Sequence, residues 1–79
     1  MKPLPLLELY GTYGCHLCAE AEQLCRAALP GLDLRTIDIA DHAELMERYG
    51  LRIPVLRDPD SGRELGWPFG PDELHSFLP

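Results

Sequence analysis

Apolar positions along the chain alternate between short continuous runs and stripes at helical spacing. Leu6-Leu7-Glu8-Leu9-Tyr10 reads as a buried strand closed by Gly11. From His16 to Leu29, the residues Leu17, Ala21, Leu24, Cys25 and Ala28 fall on one helical face, while Glu20, Glu22, Gln23 and Arg26 fill much of the other. Pro30-Gly31 stops that helix. Leu32 to Ile39 predicts a second strand, with Ile37 and Ile39 on one face and Leu34 and Thr36 on the other.

The second half of the chain is more finely divided. Asp41 followed by Glu44 resembles a capping box that opens a short helix through Tyr49, ended by Gly50. Val55-Leu56-Arg57 predicts a third strand. The turn residues Asp58-Pro59-Asp60-Ser61-Gly62 then lead into a fourth, Arg63-Glu64-Leu65-Gly66. Pro71 suits a first helical position, Asp72 and Glu73 a first turn, and Leu74, Phe77 and Leu78 form an apolar stripe. The predicted order is βαβαββα, an α/β domain in which the first two helices act as crossovers and strands 1 and 2 run parallel.

The 79 residues predict one small domain over 1–79, burying roughly 60–65% of the surface its unfolded chain exposes. Net charge is −6, from 13 acids against 7 bases. That balance argues against a phosphate-binding surface, which needs clustered Lys and Arg, and against anionic lipid. No apolar run approaches membrane-spanning length. The opening Met1-Lys2-Pro3-Leu4-Pro5-Leu6-Leu7 lacks the long apolar region and cleavage site of a signal peptide. Cytoplasmic location is the expectation, and three cysteines in a reducing compartment point to redox or metal chemistry rather than a disulfide framework.

Cys15 and Cys18 enclose His16-Leu17 where the first strand turns into the first helix. One helical turn apart, their Cα atoms should lie about 5–6 Å from each other, within disulfide range. Amides at the helix N-terminus point at the first sulfur and favour its anion. Cys15 is therefore the candidate nucleophile and Cys18, one turn deeper, the resolving thiol. Lowering a thiol pKa from ~8.5 to ~6 raises its thiolate fraction at pH 7 by roughly 30-fold. Intrinsic nucleophilicity falls by about tenfold, so the net gain in attack is only a few-fold. Positioning of the two sulfurs outweighs acidity. Half of a zinc site and a pair of inert core thiols are the competing readings. A tetrahedral site lacks its other ligands, since His16 is sequence-close but His42 and His75 are isolated. Cys25 lies about 10 Å along the helix from Cys18, too far for a disulfide, and reads as a small core hydrophobe.

With these residues in view the chain resembles a glutaredoxin over nearly its whole length. The carriers are Leu6–Tyr10, Cys15-His16-Leu17-Cys18 opening a helix, and Arg52-Ile53-Pro54-Val55-Leu56 in the place of the family's Thr-Val-Pro segment. Within the family it is most similar to small bacterial glutaredoxin-like proteins, where Cys-His-Leu-Cys and a Trp-Pro-Phe like Trp67-Pro68-Phe69 are familiar. The resemblance implies a thioredoxin-like fold, a four-stranded mixed sheet of order 2-1-3-4 flanked by helices. It also implies thiol–disulfide exchange, with Ile53–Pro54 as a cis bond beside the Cys15 sulfur and the Ile53 backbone pairing with an extended substrate.

Departures from the family bear on the substrate. Glutaredoxins commonly carry a lysine three residues before the first cysteine, where this chain has Thr12. Trp67 and Pro68 replace a glycine and remove an N–H from the segment that holds glutathione's γ-glutamyl end. Arg52 is a partial replacement for the missing charge, although a solvent-facing arginine is the plainer reading. Tyr13 and Gly14 shape the loop over the sulfur, and Tyr13, Gly14, His16, Arg52, Ile53, Pro54 and Trp67 together make up the expected substrate-binding set. The expected partners are a disulfide-containing protein or a glutathione mixed disulfide, met by a monomer with no bound cofactor, glutathione being a possible co-substrate. The alternatives are an iron–sulfur or metal carrier using Cys15, and a peptide-binding module that has lost turnover.

Overall fold

Successive side chains in a strand point to opposite faces. In the first strand, β1 (Leu6–Gly11), Leu7 and Leu9 therefore enter one core and Tyr10 another. Apolar residues on both faces require cover on both sides of the sheet. The computed structural model describes residues 4–78; the readings that concern residues 1–3 and 79 lie outside the described residues.

Cover comes from three helices. After β1 follow α1 (His16–Ala28), β2 (Asp33–Asp38), a single 3-10 turn (Ile39–Asp41), α2 (Ala43–Tyr49), β3 (Val55–Arg57), β4 (Glu64–Gly66) and α3 (Pro71–Phe77). The sheet order is β2-β1-β3-β4. Strands β1 and β2 pair in parallel from Leu6 opposite Asp33 to Gly11 opposite Asp38. β3 runs antiparallel to β1, and β4 to β3. This is the thioredoxin-like α/β arrangement that the resemblance implies.

Leu7, Leu9, Leu34 and Leu56 of the sheet form the first core with Ala21 and Cys25 of α1 and Leu74 and Phe77 of α3. On the other face Tyr10, Val55 and Ile39 meet Tyr49 of α2, with Ile37, Leu45 and Ile53 packed around them. Leu34 and Ile37 thus fall on opposite faces, as the alternation in β2 requires. Polar side chains complete the second face. Glu8 and Arg57 sit opposite each other in register with 3.5 Å between guanidinium and carboxylate. Tyr10 stacks on Tyr49 with 4.6 Å between ring centroids, and the two hydroxyls donate to Glu8 at 3.0 Å and Glu64 at 2.5 Å. Burial, reinforced by those carboxylate partners, raises the pKa of both tyrosines. The Tyr49 hydroxyl, helped by Arg52, lowers that of Glu64.

Two local expectations fail: Leu17, placed on the apolar face of α1, is exposed, and the start of α2 differs. Asp41 does not cap α2: it ends the 3-10 turn, and His42 occupies the N-cap with no side-chain bond. Asp38 caps the 3-10 turn instead, accepting the Ala40 N–H at 2.9 Å. The parallel ladder ends at Asp38, and Ile39 must turn into the second core, so the chain winds one step earlier than the Asp41–Glu44 spacing suggests. At α3 the expectation holds, with Pro71 at the first position and Glu73 accepting the Gly70 N–H at 2.6 Å.

Leu74 is fully buried between α3 and the sheet. Leu74→Ala should lower stability by about 2–5 kcal/mol, read from urea denaturation. An unchanged midpoint would mean that α3 does not close this core.

Candidate active site

The last residue of β1 is a glycine because the space where a side chain would start is already occupied. A Cβ on Gly11 would lie 2.8 Å from the Sγ and 2.9 Å from the Cβ of Cys18. The chain then turns back on itself, the Cys15 N–H donating to the Thr12 carbonyl at 3.2 Å. Gly14 takes φ +83° in this turn, a region that suits glycine. Cys15 is the N-cap of α1. Its Sγ accepts the Cys18 N–H at 3.2 Å, and its carbonyl accepts the Ala19 N–H at 3.1 Å. A donor aimed at a sulfur stabilises negative charge there.

Cys15 and Cys18 are joined by a disulfide with 5.2 Å between their Cα atoms, inside the interval their spacing predicts. Cys15 is partly exposed and Cys18, at 9% exposure, lies beneath it. Cys25 is the third cysteine, free and fully buried in the first core. Burial pushes its thiol up to about 11. Among the described residues no three His, Cys, Asp or Glu side chains converge in a metal-binding group.

A cavity of about 350 Å³ opens beside the disulfide, between the Thr12–Cys15 turn, the first turns of α1 and the end of β2. Of the residues expected around a substrate, Tyr13 and Gly14 line it together with both cysteines; His16, Arg52, Ile53, Pro54 and Trp67 do not. Tyr13 is almost fully exposed at 97%. His16 is also exposed, with Nε2 3.9 Å from Glu20. The Ile53–Pro54 bond is cis. Tyr10 stands opposite Val55, so Gly11 and Pro54 are the next residues along the two strands, bringing the proline segment alongside the Gly11 end of β1. The buried Pro54 accepts the Trp67 N–H at 3.2 Å. Trp67 packs against the first core and meets Phe69 edge-on at 5.1 Å. Arg52 binds Glu64 at 2.9 Å and lies over the Tyr49 ring, so its charge is not free.

Two residues at the site escape the sequence reading. Gly11 appears in the sequence only as a strand end, and its close approach to Cys18 becomes visible only when α1 is laid on the sheet. Asp38 accepts the Tyr13 N–H at 3.4 Å and sits opposite Gly11 in the parallel ladder. Pairing the two six-residue strands end to end would have found it, since ligand sites in such sheets lie outside the carboxyl ends of the strands.

Comparison with known proteins places these features in a group. The model of the family described as "Glutaredoxin-like domain (DUF836)" matches residues 6–79. Crystal and solution structures of the target protein XcR50 from X. campestris are 45% identical, cover 90% of this chain and 92% and 88% of theirs, and give TM-scores of 0.80 and 0.77. The solution structure of protein Ne2328 from Nitrosomonas europaea is 29% identical, covers 100% of this chain and 95% of its own, and gives 0.82. No curated protein matches the chain.

Two outcomes follow from this geometry. Gly11→Ala must displace Cys18, and should cost the oxidised protein about 1–3 kcal/mol, measured by urea denaturation; an unchanged midpoint would contradict the close approach. Cys25 supplies a pH effect. Its thiol ionises near 9.0 when free of the fold and near 11 within it, so the folded state holds a proton that the unfolded state releases. Its contribution to stability is complete below about pH 9 and declines as pH rises towards 11. Cys25→Ala should therefore reduce the alkaline slope of the stability curve. The slope that remains belongs to Tyr10 and Tyr49, whose raised pKa values act with the same sign. An identical slope in the variant would refute the assignment to Cys25.

Proposed function

The chain belongs to the glutaredoxin-like domain family, and on that premise we propose that it is a thiol–disulfide oxidoreductase with Cys15 as nucleophile and Cys18 as resolving thiol. The observation that carries this reading is the arrangement of the pair: a partly exposed sulfur capped by the Cys18 N–H at 3.2 Å, with the second sulfur beneath it. In the reduced protein the Cys15 thiolate attacks one sulfur of a substrate disulfide, and the other substrate sulfur leaves as a thiol. The Cys18 thiolate then attacks Cys15 Sγ, the second substrate thiol departs, and the Cys15–Cys18 bond forms. Two electrons and two protons pass from the dithiol to the substrate. An external reductant reverses the change on the protein.

The cap contributes when an external reductant releases Cys15 during the reset, as well as at the first attack. Stabilising charge on the Cys15 sulfur makes it a better leaving group when the pair is reset, which offsets the lower nucleophilicity of an acidic thiolate. Substrate alignment falls to the segment before the cis proline, where the Ile53 carbonyl meets an extended chain while its N–H stays bound to the Tyr49 carbonyl at 3.1 Å. Tyr13 and Gly14 line the cavity beside the disulfide, and His16, exposed at the start of α1, is the third neighbour proposed to meet the substrate. Suited partners are disulfide-bearing proteins and glutathione mixed disulfides, with glutathione as co-substrate rather than bound cofactor. Pairing of Arg52 with Glu64, packing of Trp67 on the core and an acidic body all weaken the attraction for anionic glutathione itself.

Purified reduced protein should reduce a small disulfide, and Cys15→Ser should abolish that activity. Cys18→Ser should accumulate a mixed disulfide on Cys15, visible as an added mass that dithiothreitol removes. Full activity in Cys15→Ser would overturn the mechanism.

A further inference from the structure

The cavity beside the disulfide has a lining that the exchange mechanism alone does not use. Its apolar surface comes from Leu9 and Ile37, its hydroxyls from Thr12 and Thr36, and its charges from Glu22 and Asp38. Among the described residues no lysine or arginine lines it. Glu22 shares its charge with Arg26 at 3.0 Å. Among the described residues Asp38 has only backbone partners, the N–H groups of Tyr13 and Ala40, and no cation pairs with its charge. The exposed Tyr13 at the rim adds a ring face that attracts cations.

A lining that combines apolar surface with carboxylates suits a flexible aliphatic stem with a positive head, because such a side chain places its carbons on apolar surface and its charge at the edge. At about 350 Å³ the space is near the small end of ligand pockets, enough for one long side chain. The wider surface agrees in sign: the chain carries −6 overall, and the cations Arg52 and Arg57 are already held by Glu64 and Glu8.

We infer that this cavity receives a lysine or arginine side chain neighbouring the cysteine of a substrate disulfide, so that the protein favours basic disulfide segments over acidic ones. The inference rests on the exchange reading above and adds to it the class of protein substrate. The cationic side chain anchors the segment on the β2 side while the substrate sulfur lies against Cys15. Exchange then follows the balanced steps already given, with no further reactant.

Three disulfide-linked peptide dimers of identical length test it, carrying lysine, glutamine or glutamate on both sides of the cysteine. Oxidation of the reduced protein is followed with each, and every rate is divided by that of dithiothreitol with the same peptide, which removes intrinsic reactivity. The lysine peptide should exceed the glutamate peptide by about tenfold at low salt, the scale of electrostatic steering into a charged cleft. That ratio should shrink several-fold near about 0.5 M salt, where exposed charges are screened. E22Q and D38N should each reduce the ratio by about threefold, as expected when one of two carboxylates loses its charge. Glu22 lies on the helix surface, so E22Q carries the test if loss of the Asp38 cap disturbs folding. Equal normalised rates, or a ratio untouched by E22Q in the folded protein, would overturn the inference and leave the exchange reading intact. No reaction with any peptide would refute the exchange reading and this inference with it.

Discussion

The contact on which the rest depends is the Cys18 N–H directed at Cys15 Sγ. It exists because the first cysteine occupies the position before α1, where helix amides have no intrahelical partner. A sulfur there takes the part usually played by Ser or Asp at a helix N-terminus. The same contact that caps the start of the helix also orients the partly exposed Cys15 sulfur. Gly11 is its counterpart from the sheet. By presenting no Cβ, it lets Cys18 settle against β1, and so fixes which of the two sulfurs faces outward.

The sheet then decides what surrounds that pair. The parallel pairing of β1 and β2 ends with Gly11 beside Asp38, which places a carboxylate against the Thr12–Cys15 turn. The antiparallel pairing of β1 and β3 brings the segment around Pro54 to the other side. The disulfide thus has two unlike flanks. One is the cis-proline segment; the other is a cavity with acidic side chains. Arg52, which stood in sequence as a source of positive charge for the site, is turned instead towards Glu64 and Tyr49 on the second face. That pairing ties β4 to the end of α2, and leaves the neighbourhood of Cys15 with less positive charge than composition suggests.

Much of this was legible in the sequence because it depends on neighbours along the chain. The helical spacing of Leu17, Ala21, Leu24 and Cys25, the turn at Asp58–Gly62 and the strand-to-helix position of the Cys15–Cys18 pair are local properties, and each corresponds to an observed element. Sheet order and the cis Ile53–Pro54 bond came from resemblance, since neither periodicity nor composition encodes them. What stayed hidden depends on pairing distant segments. Asp38, the close approach at Gly11 and the cavity need β1, β2 and α1 assembled together. The misplaced cap at Asp41 has the same origin: its spacing to Glu44 is a sound local signal, overridden by Ile39, which is drawn into the second core.

The central claim is that Cys15 and Cys18 form a reversible two-electron couple within the folded protein. The most direct measurement equilibrates the protein in glutathione redox buffers of graded ratio, then traps and weighs the products. The account predicts one transition in which both thiols are lost together, forming the intramolecular disulfide, with Cys25 unmodified and glutathione adducts on Cys15 sparse. Thiols that stay reduced at every ratio, or a stable adduct on Cys15 that Cys18 never displaces, would contradict it.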